Sequence, residues 1–307
     1  MRLTKAIGVP TALVLSGLVF ATTATAATAP SPSDTAQQGT VHKAQPKHGM
    51  GFRLDAPKRS KAPASAPSAV ALNDIAPIAR TAEAPESYDL TKYAQSPGDQ
   101  GKVGSCVAWA TGYSGYGILM NEQNISDGPM APMFTYSQIA KGNDQGTWAS
   151  VALPMQKEQG IDTKADYWQG DFDFTTQPDD AERANAAHYK LSGFTELPVK
   201  GEEARAAIED SISRGMPVPI GFEAHQSFQD LNADTAGDYS YLPGDDRSDP
   251  VLGGHEVTIV AYNDKGVKIE NSWGTEWGAG GYFTVPWKFF DAGVVNEAHA
   301  MGKLVEG

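Results

Sequence analysis

A chain of 307 residues with one cysteine, Cys106, cannot close an internal disulfide, so its fold must be held by a hydrophobic core. The N-terminus makes that constraint informative. Arg2 and Lys5 precede a largely apolar run, 6–20, and the small-residue stretch Ala24-Thr25-Ala26. This is the three-part pattern of an export signal, spanning residues 1–26. The run is too short and too soon interrupted to favour a membrane span, so no membrane association is expected after signal removal. Exported chains use cysteines in pairs, and a lone thiol in an oxidising compartment is a liability unless it has a task. The expectation is a secreted, extracellular protein in which Cys106 does chemistry.

The surroundings of Cys106 specify that chemistry. It ends the segment Gln100-Gly101-Lys102-Val103-Gly104-Ser105-Cys106. Downstream come Gly253-Gly254-His255 and then Asn271-Ser272-Trp273-Gly274. A thiolate can attack, an imidazole can move the proton, and an asparagine can orient the imidazole. The Gln100 amide can bind a developing oxyanion. Cys106 is expected at a helix N-terminus, where free N–H groups favour a thiolate, with His255 as an imidazolium partner. His42 and His48 fall in the N-terminal segment, and His188, His225 and His299 lack a catalytic setting.

These residues resemble the papain family of cysteine peptidases, and in particular its bacterial, disulfide-poor branch. The likeness covers about residues 86–290: Ser87-Tyr88-Asp89-Leu90, Asp99-Gln100-Gly101 and Gly104-Ser105-Cys106 at one end, Gly254-His255, Asn271-Ser272-Trp273-Gly274 and Gly280-Gly281-Tyr282-Phe283 at the other. The resemblance implies an α+β, papain-like two-lobed fold, with a helical lobe and an antiparallel β-barrel-like lobe facing each other across the active-site cleft. It implies an endopeptidase that cleaves protein or peptide substrates through a thioester, as a monomer, without cofactor or metal. It puts Gly146, Thr147 and Trp148 on the second specificity pocket, with Glu256 also in substrate binding, and Trp273 over the His255–Asn271 bond. Three positions depart from the family pattern. Val103 replaces a frequent disulfide cysteine, Val107 replaces an aromatic, and Glu256 stands where relatives have a small residue, which leaves pocket specificity open.

Composition sets the remaining boundaries. Residues 27–84 are rich in Ala, Pro, Ser and Lys and read as a pro-segment or linker, interrupted by the island Gly51-Phe52-Arg53-Leu54-Asp55. The peptidase domain is expected over 85–307, its helical lobe about 85–190 and its β lobe about 191–307. Helices are expected over 106–119, 132–141, 148–159 and 202–214, and strands over 217–222, 256–262, 266–270 and 281–285. Residues 1–80 carry nine Lys/Arg against three Asp/Glu, whereas 81–307 carry fifteen against thirty-four. An acidic catalytic region excludes nucleic acid as a partner and suggests electrostatic docking of the basic N-terminal segment on the domain. No second histidine follows His255-Glu256 at zinc spacing, so no metal is expected. Two rivals stay open: a cell-wall endopeptidase with another thiol centre, and an inactive binding protein on the same scaffold.

Overall fold

The structure, a computed structural model, describes residues 46–55, 69–79, 83–243 and 248–306. The export signal and the rest of the N-terminal segment lie outside the described residues. None of the described helices is long and apolar enough to cross a membrane.

In chain order the elements begin with α1 (Ala69–Ile75) and β1 (Tyr88–Asp89). A continuous helical segment follows: α2 (Cys106–Trp109), a π-helical stretch (Ala110–Gly115) and α3 (Tyr116–Glu122). Next come α4 (Pro132–Ala140), α5 (Ala149–Gln159), α6 (Asp180–Ala186), β2 (Tyr189–Leu191), β3 (Phe194–Glu196) and α7 (Gly201–Ser213). The chain then becomes mainly strand: β4 (Val218–His225), α8 (Gln226–Gln229), β5 (Val251–Tyr262), β6 (Gly266–Glu270), β7 (Tyr282–Pro286), β8 (Val295–Met301) and β9 (Leu304–Glu306).

The larger sheet runs β3-β8-β4-β5-β6-β7, with β1 added to β5, and all its pairings are antiparallel. Its core is aromatic and β-branched, including Phe222, Phe228, Phe283 and Phe289, with Ile208 and Ile212 of α7 packed in. The helical lobe has its own core around Val107, Tyr116, Met133, Phe134, Leu153 and Ile161. Two cores facing each other give the expected α+β, two-lobed architecture.

Pro132 opens α4 at its first turn, where a missing N–H costs nothing. α7 buries Ala204, Ile208 and Ile212 as its spacing predicts. The glycines of the central helix serve close packing: a Cβ on Gly115 would stand 2.4 Å from the Met301 sulfur, and one on Gly112 would stand 2.6 Å from Ile161. The helix is not uniformly α, however. It contains a π-helical turn, Ala110–Gly115, and at its first residue the Ala110 carbonyl accepts the Thr258 hydroxyl at 2.9 Å, which ties helix to sheet.

Two features depart from the sequence expectation. Residues 27–84 are not uniform linker, because α1 buries Leu72 and Ile75 in the β-lobe core. The lobes also exchange ends: β9 pairs with β2, and Leu304 joins the helical-lobe core. The sequence reading lacked β8, β9 and α6. The α6 start did carry a signal, since Asp179 and Glu182 form a reciprocal capping box.

Candidate active site

Cys106 is the first residue of its helix and is fully buried. The turn before it is fixed by Asp144, whose carboxylate accepts the Gly104 N–H, and by the Tyr136 hydroxyl, which donates to Asp144. The same hydroxyl accepts the Gly146 N–H at 3.0 Å, so one tyrosine braces both the turn before Cys106 and the Gly146 segment of the same lobe. Burial, followed by the nearby Glu256 carboxyl, pushes the Cys106 thiol up to about 12.

His255 lies on β5 and is fully buried. Its Nε2 stands 2.7 Å from Asn271 Oδ1, and that oxygen also accepts the Ser272 N–H at 2.8 Å. An oxygen acceptor fixes Nε2 as the protonated nitrogen, and Nδ1 is left without a hydrogen-bond partner in the structure. Trp273 covers this pair, its ring 4.6 Å from the imidazole, and Phe228 packs from the core at 5.8 Å. Burial drives the imidazole down to about 4, against the supporting hydrogen bond that it donates to Asn271 and with a further lowering by His48. Loss of water thus disfavours the charged form of both groups and works against the expected ion pair while the cleft is covered.

What excludes water is the chain itself. Residues 47–53 cross the cleft as an extended peptide. Gly49 N–H donates to Gly101 O at 2.9 Å, and Phe52 N–H to Gly254 O at 3.1 Å. Gly51 O accepts Thr147 N–H at 2.8 Å, and Arg53 N–H donates to Thr147 O at 3.1 Å. Gln100 Nε2 donates to Gly49 O at 3.1 Å, while Ser272 Oγ holds the other end of that amide at 2.7 Å. Gly51 N–H points at Cys106 Sγ, 3.3 Å away. The strap lies so close that a Cβ on Gly51 would stand 1.9 Å from Gly104 O.

Every sequence-derived site residue reaches this cleft. Gly146, at φ +71°, lets Gly51 O approach to within 2.1 Å of where its Cβ would stand. Trp148 donates its indole N–H to Arg53 O at 2.8 Å, and the Arg53 guanidinium lies 4.4 Å from its ring centre. Glu256 is fully buried beside Cys106. His48 is one residue the sequence reading set aside that the structure brings in, stacked on Trp273 at 4.6 Å and 11°. Tyr136, Asp144 and Ser272 were also missed, since each acts through contacts distant in the chain. Most cations behind the expected electrostatic docking, Lys43, Lys58, Arg59, Lys61 and Arg80, lie outside the described residues. Backbone hydrogen bonds and the burial of Phe52 dominate, and among the described residues Lys47–Asp230, an exposed pair at 3.2 Å, is the ion pair between strap and domain. No group of three or more potential metal ligands occurs among the described residues.

A buried cysteine at a helix start, an amide-braced imidazole on the facing sheet and a cleft that holds an extended peptide define a cysteine-type peptidase. Residues 84–300 match the papain family of cysteine proteases, and the chain belongs to that family. It is 25% identical over 219 residues to an uncharacterized peptidase C1-like protein of Acanthamoeba polyphaga mimivirus, over 66% of this chain and 69% of that protein. Mouse cathepsin K is 27% identical over 210 residues, 64% of this chain and 58% of that protein, so the match spans less than two thirds of the mouse protein's length. Among solved structures, xylellain, a cysteine protease from Xylella fastidiosa, superposes with a TM-score of 0.66 at 21% identity, over 87% of this chain and 100% of that one. A digestive procathepsin L of the Tenebrio molitor larval midgut gives 0.56 at 18%, over 83% and 76%. At these identities the two structures speak to the fold.

Proposed function

We propose that this chain is a secreted cysteine endopeptidase acting through Cys106, His255 and Asn271, held inactive while residues 47–53 occupy its cleft. One observation carries the peptide-bond reading. The cleft binds a peptide backbone along its length, with a carbonyl oxygen on the Gln100 amide and an N–H on the Cys106 sulfur. The strap is a poor substrate because the sulfur meets an N–H, and the Gly49 and Gly51 carbonyl oxygens are engaged by Gln100 and Thr147.

When the strap leaves, water returns and the penalty on charge falls. The Cys106 proton passes to His255 Nδ1, and the thiolate attacks a substrate carbonyl carbon. The oxyanion takes the place beside Gln100 Nε2 now held by Gly49 O, with the Cys106 N–H as second donor. His255 Nδ1–H then protonates the leaving amine as the carbon–nitrogen bond breaks, which leaves a thioester on Sγ. Water deprotonated by His255 attacks that thioester, releases the acid and restores the thiol. Asn271 keeps the ring aimed throughout, under the cover of Trp273.

Zymography on casein and on purified cell wall tests the substrate class. Lysis confined to casein, abolished by a thiol-directed epoxide that labels Cys106, is the expected result. Cell-wall lysis alone, or no labelling after strap removal, would replace this reading with one of its rivals. Secretion is tested separately, by loss of the protein from the medium when residues 1–26 are deleted.

A further inference from the structure

The floor of the cleft carries groups that the cysteine chemistry does not use. Gly221 on β4 pairs directly with Glu256 on β5 and with Glu297 on β8. Directly paired residues of antiparallel strands project to one face, so two carboxyl side chains flank a position where Gly221 contributes none. The Phe52 ring lies over that position, and a Cβ on Gly221 would come within 2.5 Å of it. Glu256 is fully buried, and neither of its oxygens accepts a hydrogen bond from an N–H or hydroxyl donor in the structure. Its neighbour is the Glu297 carboxyl, which accepts the Ala149 N–H at 2.6 Å at the start of α5. Burial and Glu297 hold Glu256 well above the usual carboxylate range, so beneath Phe52 the pair retains a proton. The Phe52 ring fills the space but donates no hydrogen bond to Glu256, whose carboxyl is left to share a proton with Glu297. A guanidinium or ammonium group would supply the missing donors and the opposite charge.

We propose that the row Glu256–Gly221–Glu297 makes this a specificity pocket for a basic residue: once Phe52 withdraws, an arginine or lysine side chain of the substrate enters over Gly221 and its cationic head binds the two carboxylates. This rests on the peptidase reading above, but it concerns binding, and the two can fail separately.

The test uses the full chain carrying Cys106→Ala, to prevent turnover, and Gly51→Ala, whose methyl group cannot fit against Gly104 O and so displaces the strap. Blocked tetrapeptides differing only at one residue, which is arginine, its neutral isostere citrulline, or phenylalanine, are titrated by calorimetry at neutral pH. Arginine binding at least about tenfold tighter than both others is expected, a difference that Glu256→Gln removes. Equal binding of arginine and citrulline, tighter binding of phenylalanine, or no binding of any peptide would overturn the proposal. The arginine–citrulline comparison needs no change at Glu256, so it decides the matter even if Glu256→Gln fails to fold. Casein turnover by the Gly51→Ala chain with Cys106 intact is measured alongside. Its absence would count against the peptidase reading while leaving the binding difference intact.

Discussion

At Cys106 and His255, loss of water outweighs every charge that a reactive thiol needs. With the strap in place burial pushes the thiol up to about 12 and the imidazole down to about 4, which disfavours the charged form of each at neutral pH. Alkylation of the full chain by iodoacetamide should therefore be slow across the neutral range. Gly51→Ala should raise that rate by at least about tenfold, and the reactivity should persist below neutral pH, where only an imidazolium-paired thiolate survives. A slow reaction in the variant that rises only near pH 8–9, the range of a free thiol, would contradict the pair. In the Gly51→Ala chain, casein turnover should vanish with Cys106→Ala and with His255→Ala. It should fall by roughly 10²–10³ with Gln100→Ala, a lost oxyanion donor, and less with Asn271→Ala. The four catalytic candidates were legible because each is fixed by its residue type and near neighbours. His48, Tyr136 and Asp144 were not, since nothing local marks a histidine that will stack on Trp273 or an aspartate that will hold Gly104.

At the scale of elements, the central helix and β6 share a buried carboxyl. Glu270 accepts the Ser114 hydroxyl at 2.7 Å from the π-helical turn and the Tyr282 hydroxyl at 3.3 Å from β7. Burial raises its pKa from 4.5 to about 7. The folded state thus holds a proton that the unfolded chain has released, so the cost of Glu270 is absent below 4.5 and grows as pH rises to about 7. The full cost is about 3 kcal/mol. Thermal melts should show stability declining over that interval, with Glu256 adding to the slope in the same direction, and Glu270→Gln should flatten the decline. An unchanged pH profile in the variant would show that Glu270 is ionised in the folded protein. Helix positions were readable from period and punctuation: Pro132 and Gly160 bound the same helices in sequence and structure. The π-helical turn was not readable, because its contacts, such as the Thr258 hydroxyl on Ala110 O, come from 148 residues away.

At the scale of the molecule, the N-terminal segment and the domain carry opposite charge, and most of the segment's cations lie outside the described residues; the described strap is held mainly by uncharged groups. Its hydrogen bonds run from its backbone to uncharged backbone and side-chain groups such as Gln100 and Trp148, and its anchor is a buried ring, while Lys47–Asp230 is exposed and screened by salt. Iodoacetamide labelling of the full chain should therefore change by less than about twofold between low and high salt. Strong acceleration by salt would restore the electrostatic account. The sequence by itself determined the two-lobed α+β class and the candidate Cys–His–Asn set, because a helical period, a β alternation and a Cys–His–Asn order are properties of neighbours along the chain. Gly51 and Phe52 were visible within an island, and docking of the segment on the domain was expected, but the sequence carried no direction or register for it. Only the tertiary structure decided that this island lies across Cys106, with Phe52 over Gly221 between two carboxyl groups. The physical reason is that backbone hydrogen bonds and burial are indifferent to sequence separation. They require shape and register, and those exist only after the two lobes have closed on each other.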